Sequence, residues 1–451
     1  MNQGLTIVPP PVVGEALRRL EARGFQAWCV GGCVRDSLLG KAPSDWDIAT
    51  SALPQETKAC FAGERLVEAG AAHGTIAWVP SGDHPIEITT FRSVTAVVDG
   101  HAAEITTYRT ESGYSDFRRP DKVGFTRSLS EDLSRRDFTV NAMAWHPQRG
   151  LVDLFHGQED LSAGLLRCVG EPARRFSEDA LRILRCLRFS SQLGFAIHPD
   201  TARALWEKRE LLLALSHERV REELTKLLCG QGAAAVLRQY AAVVFTVLPE
   251  LAPMKGCAQE TPYHCFDVWE HTLHAVDYAP QQGDLRWAAL LHDAGKPGRK
   301  TRSADGMAHF YGHPPESGRI ARQLLTRLRF SNKERDWITA LVGHHEDAMP
   351  MGEAHLKGLL GRYGERFVFT LFQLQEADMS AKAPGVFARR LPDLEESRAL
   401  ARAILERGDC LTLGDMALTG EDLKALGVAP GPEMGKLLRR LLEAVQRGEA
   451  A

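Results

Sequence analysis

The stretch GGCVRDSLLGKAPSDWDIAT, residues 31–50, decides how the chain is read. Gly31 and Gly32 carry no side chains, so a phosphate can approach their backbone closely. Arg35 supplies a planar guanidinium suited to clamping triphosphate oxygens two at a time. FQAWCVGG, ending in the same glycine pair, reads as a short apolar strand. CVRDSLLG reads as a helical turn closed by Gly40, and WDIAT as a second strand. Asp45 and Asp47 are two apart, and on a strand such residues share a face. Two carboxylates on one face form a hard-oxygen site for Mg²⁺. Mg²⁺ there would activate an attacking hydroxyl and clamp a leaving pyrophosphate. A DxD by itself is more often a surface turn. The glycine pair and the arginine upstream turn the reading toward nucleotidyl transfer.

Outward from this stretch, GTIAWVP, IEITTFR, VTAVV and AEITTYR are β-branched and alternate at period two. IEITTFR at 86–92 recurs as AEITTYR at 103–109, placing Glu87 and Glu104 in equivalent positions. From about residue 160 the pattern turns helical. DALRILRCLRFSSQLG and RVREELTKLLCG each end near a glycine, as helices often do. Strands first and helices after predict α+β, or separate domains.

The 451 residues suggest about three domains at roughly 150 residues each. Fifty-five Lys and Arg against 58 Asp and Glu give a net charge of −3, which excludes a uniformly basic nucleic-acid binder. Local basic surfaces remain compatible with that total. No apolar stretch approaches the ~18–20 residues a membrane span needs, and MNQGLTIVPPPVV lacks the pattern of a signal peptide. Nine cysteines without a CxxC pair fit a reduced, cytoplasmic protein.

Residues 31–50 resemble the nucleotide-binding motif of class II CCA-adding tRNA nucleotidyltransferases and bacterial poly(A) polymerases, within the DNA polymerase β superfamily. LSRRDFTVNAMAW, 133–145, resembles the second motif of that family, implying Arg136 as a nucleotide contact and Asn141 as support. VDLFHGQEDLSAGLLRCVG, 152–170, resembles the link into the neck, with His156–Gly157 where the family usually has two glycines. RFSEDALRILRCLRF, 175–189, resembles the base-selecting motif. SHERVREELTKLL, 216–228, and LTGEDLKALGVAPGPEMGKLLRRLLEAV, 418–445, resemble the last neck motif and the tail element.

The base-selecting motif has a physical reading. Cytosine and adenine each present an amino donor beside a ring-nitrogen acceptor; uracil and guanine present the reverse. Asp179 accepts and Arg182 donates, and three apart on a predicted helix they are neighbours. Arg185 and Arg188 continue at steps of three, each turning about −60°, so the basic row winds round the helix. The resemblance also implies a third carboxylate on the strand beside the DxD strand. Glu104 is preferred, with Glu87 the alternative, because YRTESGYSDFRRP after Glu104 fits the family's flexible loop. That segment, 109–136, is basic through Arg109, Arg118, Arg119, Lys122, Arg127, Arg135 and Arg136. The family uses this loop in switching from CTP to ATP.

A second motif lies downstream. HCFDVWEHTLHAV, 264–276, is followed by LRWAALLHDAGKP, 285–297. The pair resembles the HD phosphohydrolase superfamily, whose ligand set implies His271, His292, Asp293 and Asp378. Imidazole with carboxylate suits a transition metal better than Mg²⁺ alone. His313 and His344–His345 are further candidates, for a second ion. The resemblance implies 2′,3′-cyclic phosphodiesterase or phosphatase activity.

The resulting expectation is an α+β head with a polymerase β-like nucleotidyltransferase sheet, followed by an all-α neck, HD body and tail. The divisions are 1–160, 161–255, 256–400 and 401–451. The expected activity is template-independent, Mg²⁺-dependent addition of CCA to the 3′ end of tRNA from CTP and ATP. Gly32, Arg35, Arg136, Asp179, Arg182, Arg185 and Arg188 would bind the nucleotide. The tail helix with Lys436, Arg439 and Arg440 would meet tRNA phosphates, reading shape rather than sequence. A poly(A) polymerase, or an enzyme adding only CC or only A, shares these motifs. The alternative of another class is an HD nucleotide phosphohydrolase whose head only binds ligand.

Overall fold

In the computed structural model, residues 7–67, 75–79, 103–112 and 122–449 are described. They divide into two compact units, 1–216 and 217–451. The neck expected over 161–255 thus has its sequence in both.

The first unit is built on a seven-stranded mixed sheet. Its strands are β1 (Ala27–Val30), β2 (Trp46–Thr50), β3 (Arg65–Val67), β4 (Thr75–Val79), β5 (Ala103–Thr107), β8 (Met143–His146) and β9 (Gly150–Asp153). The hairpin of β6 (Arg109–Ser112) and β7 (Lys122–Phe125) stands apart from it. The sheet order is β3-β4-β5-β2-β1-β8-β9. Only β2 and β5 run parallel, with Asp47 the register partner of Glu104. The antiparallel β1–β2 register sets Val30 opposite Asp47, so the glycine pair leaves β1 beside that aspartate. All four residues of β1 are buried, as the apolar AWCV pattern requires. One core cluster joins Trp28, Val30, Ala49, Tyr108, Leu133 and Ala144.

The second predicted strand begins at Trp46, so Asp45 lies one residue before it, exposed. The IEITTFR copy, with Glu87, lies outside the described residues. So do VTAVV, Arg118 and Arg119.

The helix expected from Asp179 begins two residues later. One helix, Pro172–Glu178, stops at Asp179, whose backbone is extended (φ −138°, ψ 104°), and the next runs Leu181–Leu193. The Asp179 carboxylate accepts the Leu181 N–H at 3.0 Å, competing with helical pairing, which is why such residues favour helix starts. Gly194 closes the helix in the left-handed conformation. His156 holds a left-handed φ of 60°. Asp153 steadies that corner by accepting the N–H groups of Gly157 and Gln158, both at 2.8 Å.

The second unit is helical. Asp267 caps the helix Val268–Tyr278 by accepting the Glu270 N–H at 2.7 Å. Ser331 and Glu334 form a capping box at the start of Asn332–His344. The helices Gly283–Leu291, His313–Arg327 and Glu365–Ser380 complete the set that carries the metal-type residues. In the tail helix, Pro432–Gln446, only Met434 is buried, and Lys436, Arg439 and Arg440 are exposed.

Candidate active sites

In the first unit the turn at Gly31 gathers the site. Gly31 holds φ 76°, and its N–H donates to the Met143 carbonyl at 3.2 Å. A Cβ built on Gly31 would lie 2.9 Å from Arg136 Nη1 and 3.8 Å from Asp47 Oδ2. Gly31→Ala is therefore expected to cost about 1–2 kcal/mol of stability and to push Arg136 aside. Thermal unfolding and nucleotide KM measured together check both effects.

Arg35 is nearly buried, and two elements hold it. Its Nη1 donates to Asn141 Oδ1 at 2.6 Å, while Nε and Nη2 donate to the Asp36 carboxylate at 2.8 and 2.9 Å. Asn141 thus supports Arg35. In turn Asn141 Nδ2 donates to Asp137 Oδ1 at 3.1 Å. The other oxygen of Asp137 takes Nε and Nη2 of Arg185, at 2.8 and 2.5 Å. Burial works to raise the Asp137 carboxyl, but Arg185 and Asn141 outweigh it and hold it well below the carboxylate range. A continuous polar chain thus links Arg35 to the helix Leu181–Leu193.

Phe189 is the second link. The guanidinium of Arg188 lies 4.2 Å from its ring centre, that of Arg35 5.2 Å and that of Arg185 5.4 Å. Arg182 is placed by other means. Its Nη1 donates to Glu178 Oε2 at 3.0 Å and to the Arg175 carbonyl at 3.2 Å, and Nη2 to the Arg135 carbonyl at 2.9 Å. Asp179 sits at the break just before that helix. Hydrogen bonds therefore join Arg35, Asn141, Asp137 and Arg185 in sequence, while Arg136 and Asp47 lie beside the Gly31 turn. Asp137 and Phe189 are additions that the sequence reading missed. The RRDF spelling held Asp137 in plain view, but its partner Arg185 is 48 residues away.

The carboxylates differ in setting. Burial pushes Asp47 up to about 6; Arg136 pulls against this and Asp45 adds to it. Asp45 is exposed and accepts from Ser44 Oγ at 2.9 Å.

In the second unit, four imidazoles converge on one carboxylate. His271 Nε2 lies 3.4 Å and His292 Nε2 3.3 Å from Asp293 Oδ2. His313 Nε2 lies 3.2 Å and His345 Nε2 3.6 Å from Asp293 Oδ1. Asp378 Oδ1 is 3.0 Å from His271 Nε2 and 3.7 Å from His292 Nε2. All six residues are buried. Two three-residue groups have metal-ligand spacing, His271–His292–Asp293 and Asp293–His313–His345, and they share Asp293. Each Nδ1 faces a backbone carbonyl, of Ala381, Ala289, Phe310 and Val342 respectively, at 2.7–3.1 Å. A carbonyl only accepts, so each Nδ1 carries the proton, and a neutral ring then offers its Nε2 lone pair inward. Two such lone pairs meet at 3.3 Å in each half, His271 with His292 and His313 with His345. Such facing lone pairs suit a cation held between them. Burial works to lower His292, yet Asp293 and Asp378 carry it up to about 10.

Lys296 Nζ lies 2.7 Å from Asp293 Oδ2, and Lys382 Nζ 2.7 Å from Asp378 Oδ2. His344 does not join the cluster. Its neighbour His345 turns in, while His344 Nδ1 meets Asp347 Oδ2 at 2.8 Å. One step along a helix turns about 100°, and here that step sends His344 to Asp347 and His345 to Asp293.

No described helix is long and apolar enough to cross a membrane. The chain matches the family described as poly A polymerase head domain at residues 27–103 and 93–167. It also matches the probable RNA and SrmB-binding site of polymerase A at 194–254, and the HD domain at 262–386. It is 47% identical over 444 residues to the CCA-adding enzyme of Limosilactobacillus reuteri (strain DSM 20016), covering 96% of this chain and 92% of that one. The CCA-adding enzyme of Lactobacillus delbrueckii subsp. bulgaricus is 34% identical over 436 residues, with 96% and 92% covered. The crystal structure of the Bacillus stearothermophilus CCA-adding enzyme in complex with CTP matches with a TM-score of 0.71 and 31% identity, covering 98% and 94%. Nucleotidyltransferase head, RNA-binding region and HD domain follow in one order, and whole relatives align end to end: the chain belongs to the family of CCA-adding enzymes.

Proposed function

We propose that this chain adds C, C and A to the 3′ end of tRNA, using CTP and ATP and releasing pyrophosphate. The convergence of Gly31, Asp47 and Arg136 at one turn carries the reading, and the family supports it. Asp45 and Asp47 are the Mg²⁺ ligands. Their donor set fits: hard oxygens only, one of them largely withdrawn from solvent with Arg136 acting on it. The ion, when bound, lowers the barrier by neutralising charge on the triphosphate and the attacking hydroxyl. Gly32 and Arg35 take the triphosphate, Arg136 the nucleotide, and Asp179 and Arg182 the base. Arg185 reaches the same nucleotide, Arg188 meets phosphate or a neighbouring element, and the exposed tail cations meet tRNA phosphates.

The deciding assay uses tRNA lacking its CCA end with Mg²⁺ and CTP, ATP or both. Ordered CCA addition is expected. Absence of CTP incorporation would sink the reading, and long A tails from ATP alone would favour a poly(A) polymerase. Glu104 supplies the third carboxylate, a choice supported by its register against Asp47. Glu104→Ala is expected to lose nucleotide addition while Glu87→Ala keeps it. The opposite pattern would assign the role to Glu87.

The second unit is proposed as a phosphohydrolase holding two transition-metal ions, one by His271, His292, Asp293 and Asp378, the other by Asp293, His313 and His345. The buried, inward-facing lone pairs support this. Lys296 and Lys382 place positive charge beside the ligands, where a phosphate ester would bind.

A further inference from the structure

We propose that Asp132 is a positioning residue for nucleotide addition, setting the place of the Arg136 guanidinium without touching the nucleotide. The proposal rests on reading Arg136 as a nucleotide contact.

Asp132 lies in the helix Leu129–Ser134 and is 1% exposed. A carboxylate that deep is costly unless it is paired. Three donors meet it. Arg135 gives Nε and Nη2 to Oδ1 at 3.0 and 2.6 Å. The Arg109 backbone N–H reaches the same oxygen at 3.3 Å. Arg136 gives Nη2 to Oδ2 at 3.2 Å. Two of these donors fix Asp132 itself: Arg135 from its own helix, and the Arg109 N–H from the root of the β6–β7 hairpin. With one oxygen locked, the other presents a fixed acceptor to Arg136.

The consequence appears on the far side of the guanidinium. Arg136 Nη1 comes within 2.9 Å of the point where a Gly31 Cβ would stand. Its charge also acts on Asp47. Arg136 Nε is buried and has no hydrogen-bond partner among the described residues. The planar fork is therefore gripped at one nitrogen by Asp132, with other donors left beside the glycine turn. Burial works to raise the Asp132 carboxyl, but Arg136 and Arg135 overcome it, so the anchor is ionised at neutral pH. A neutral residue in its place would release Arg136 to swing toward Asp47.

A double-mutant cycle on the full chain tests this, reading KM and kcat for CTP and for ATP on tRNA substrates. Asp132→Asn is expected to raise KM about tenfold, the scale of one lost charge-assisted hydrogen bond, with kcat within about twofold. Arg136→Lys is expected to raise KM as well. The double variant should lose no more than Arg136→Lys alone, because Asp132 acts through Arg136. A merely structural Asp132 would give losses that multiply, and that result overturns the proposal. An unchanged KM in Asp132→Asn overturns it too. An unchanged KM in Arg136→Lys removes the nucleotide-contact reading, and this proposal with it. Circular dichroism reports folding. Should Asp132→Asn not fold, the same cycle is run with Arg135→Gln added, which removes one charge of each sign from the buried cluster.

Discussion

Asp47→Asn is expected to cut CTP and ATP addition by roughly a thousandfold or more, the scale of several kcal/mol of lost charge stabilisation at a metal-assisted centre. The same variant should fold at least as firmly as the parent. Burial holds the Asp47 carboxyl up at about 6, against an ordinary value of 3.8, so the fold disfavours its charge. The sign follows from linkage. Between those two values the unfolded chain has lost a proton that the folded chain keeps, so stability falls as pH rises through that window. The penalty is complete above pH 6. Asparagine, of the same shape and uncharged, escapes it. In metal-free buffer the unfolding midpoint of the variant should therefore exceed that of the parent at pH 7–8, and the gap should close near pH 4. Activity within tenfold of the parent would refute the catalytic assignment. A large drop in midpoint at pH 8 would refute the electrostatic account.

Asp293→Asn is expected to empty both halves of the histidine cluster at once, because one carboxylate serves both. Bound metal should fall by two ions per chain, read by elemental analysis. Hydrolysis of bis(p-nitrophenyl) phosphate and of nucleoside 2′,3′-cyclic phosphate should fall at least about a hundredfold, more than the 10–100-fold typical of losing only an outer-shell partner. CTP and ATP addition should persist. The variant also leaves Lys296 buried without its anion, a loss of about 3–5 kcal/mol by analogy with other broken buried pairs. His345→Gln is the gentler companion, expected to lose one ion and keep the other. If the parent binds no transition metal, or if Asp293→Asn hydrolyses as well as the parent, the phosphohydrolase reading fails.

What the sequence made legible was local. The glycine pair, Arg35 and the DxD lie within 17 residues; Asp47 falls on the expected strand, whereas Asp45 precedes it, so the shared strand face read for the pair is not what joins them. His292–Asp293 needed only adjacency. What stayed hidden was what tertiary contact decides. Asp137 acquires its meaning from Arg185, and Phe189 from three arginines, one of them in the glycine turn. Asp132 reads as an ordinary early-helix acid, which favours that end of the dipole, until its burial is seen. Helical periodicity ran straight through Asp179, because its side-chain competition for the Leu181 N–H leaves no trace in the apolar pattern. Of His344 and His345, only the phase of the helix selects the one that faces Asp293.

The ring of Phe189 has an evolutionary consequence. Three guanidiniums lean on it, and one of them also clamps at the glycine turn. Lysine would keep each charge but lose the flat stacking surface, so drift at any of the three positions is poorly tolerated. A change at Arg185 or Arg188 would also disturb the ring that Arg35 leans on, and with it the triphosphate grip proposed for Arg35.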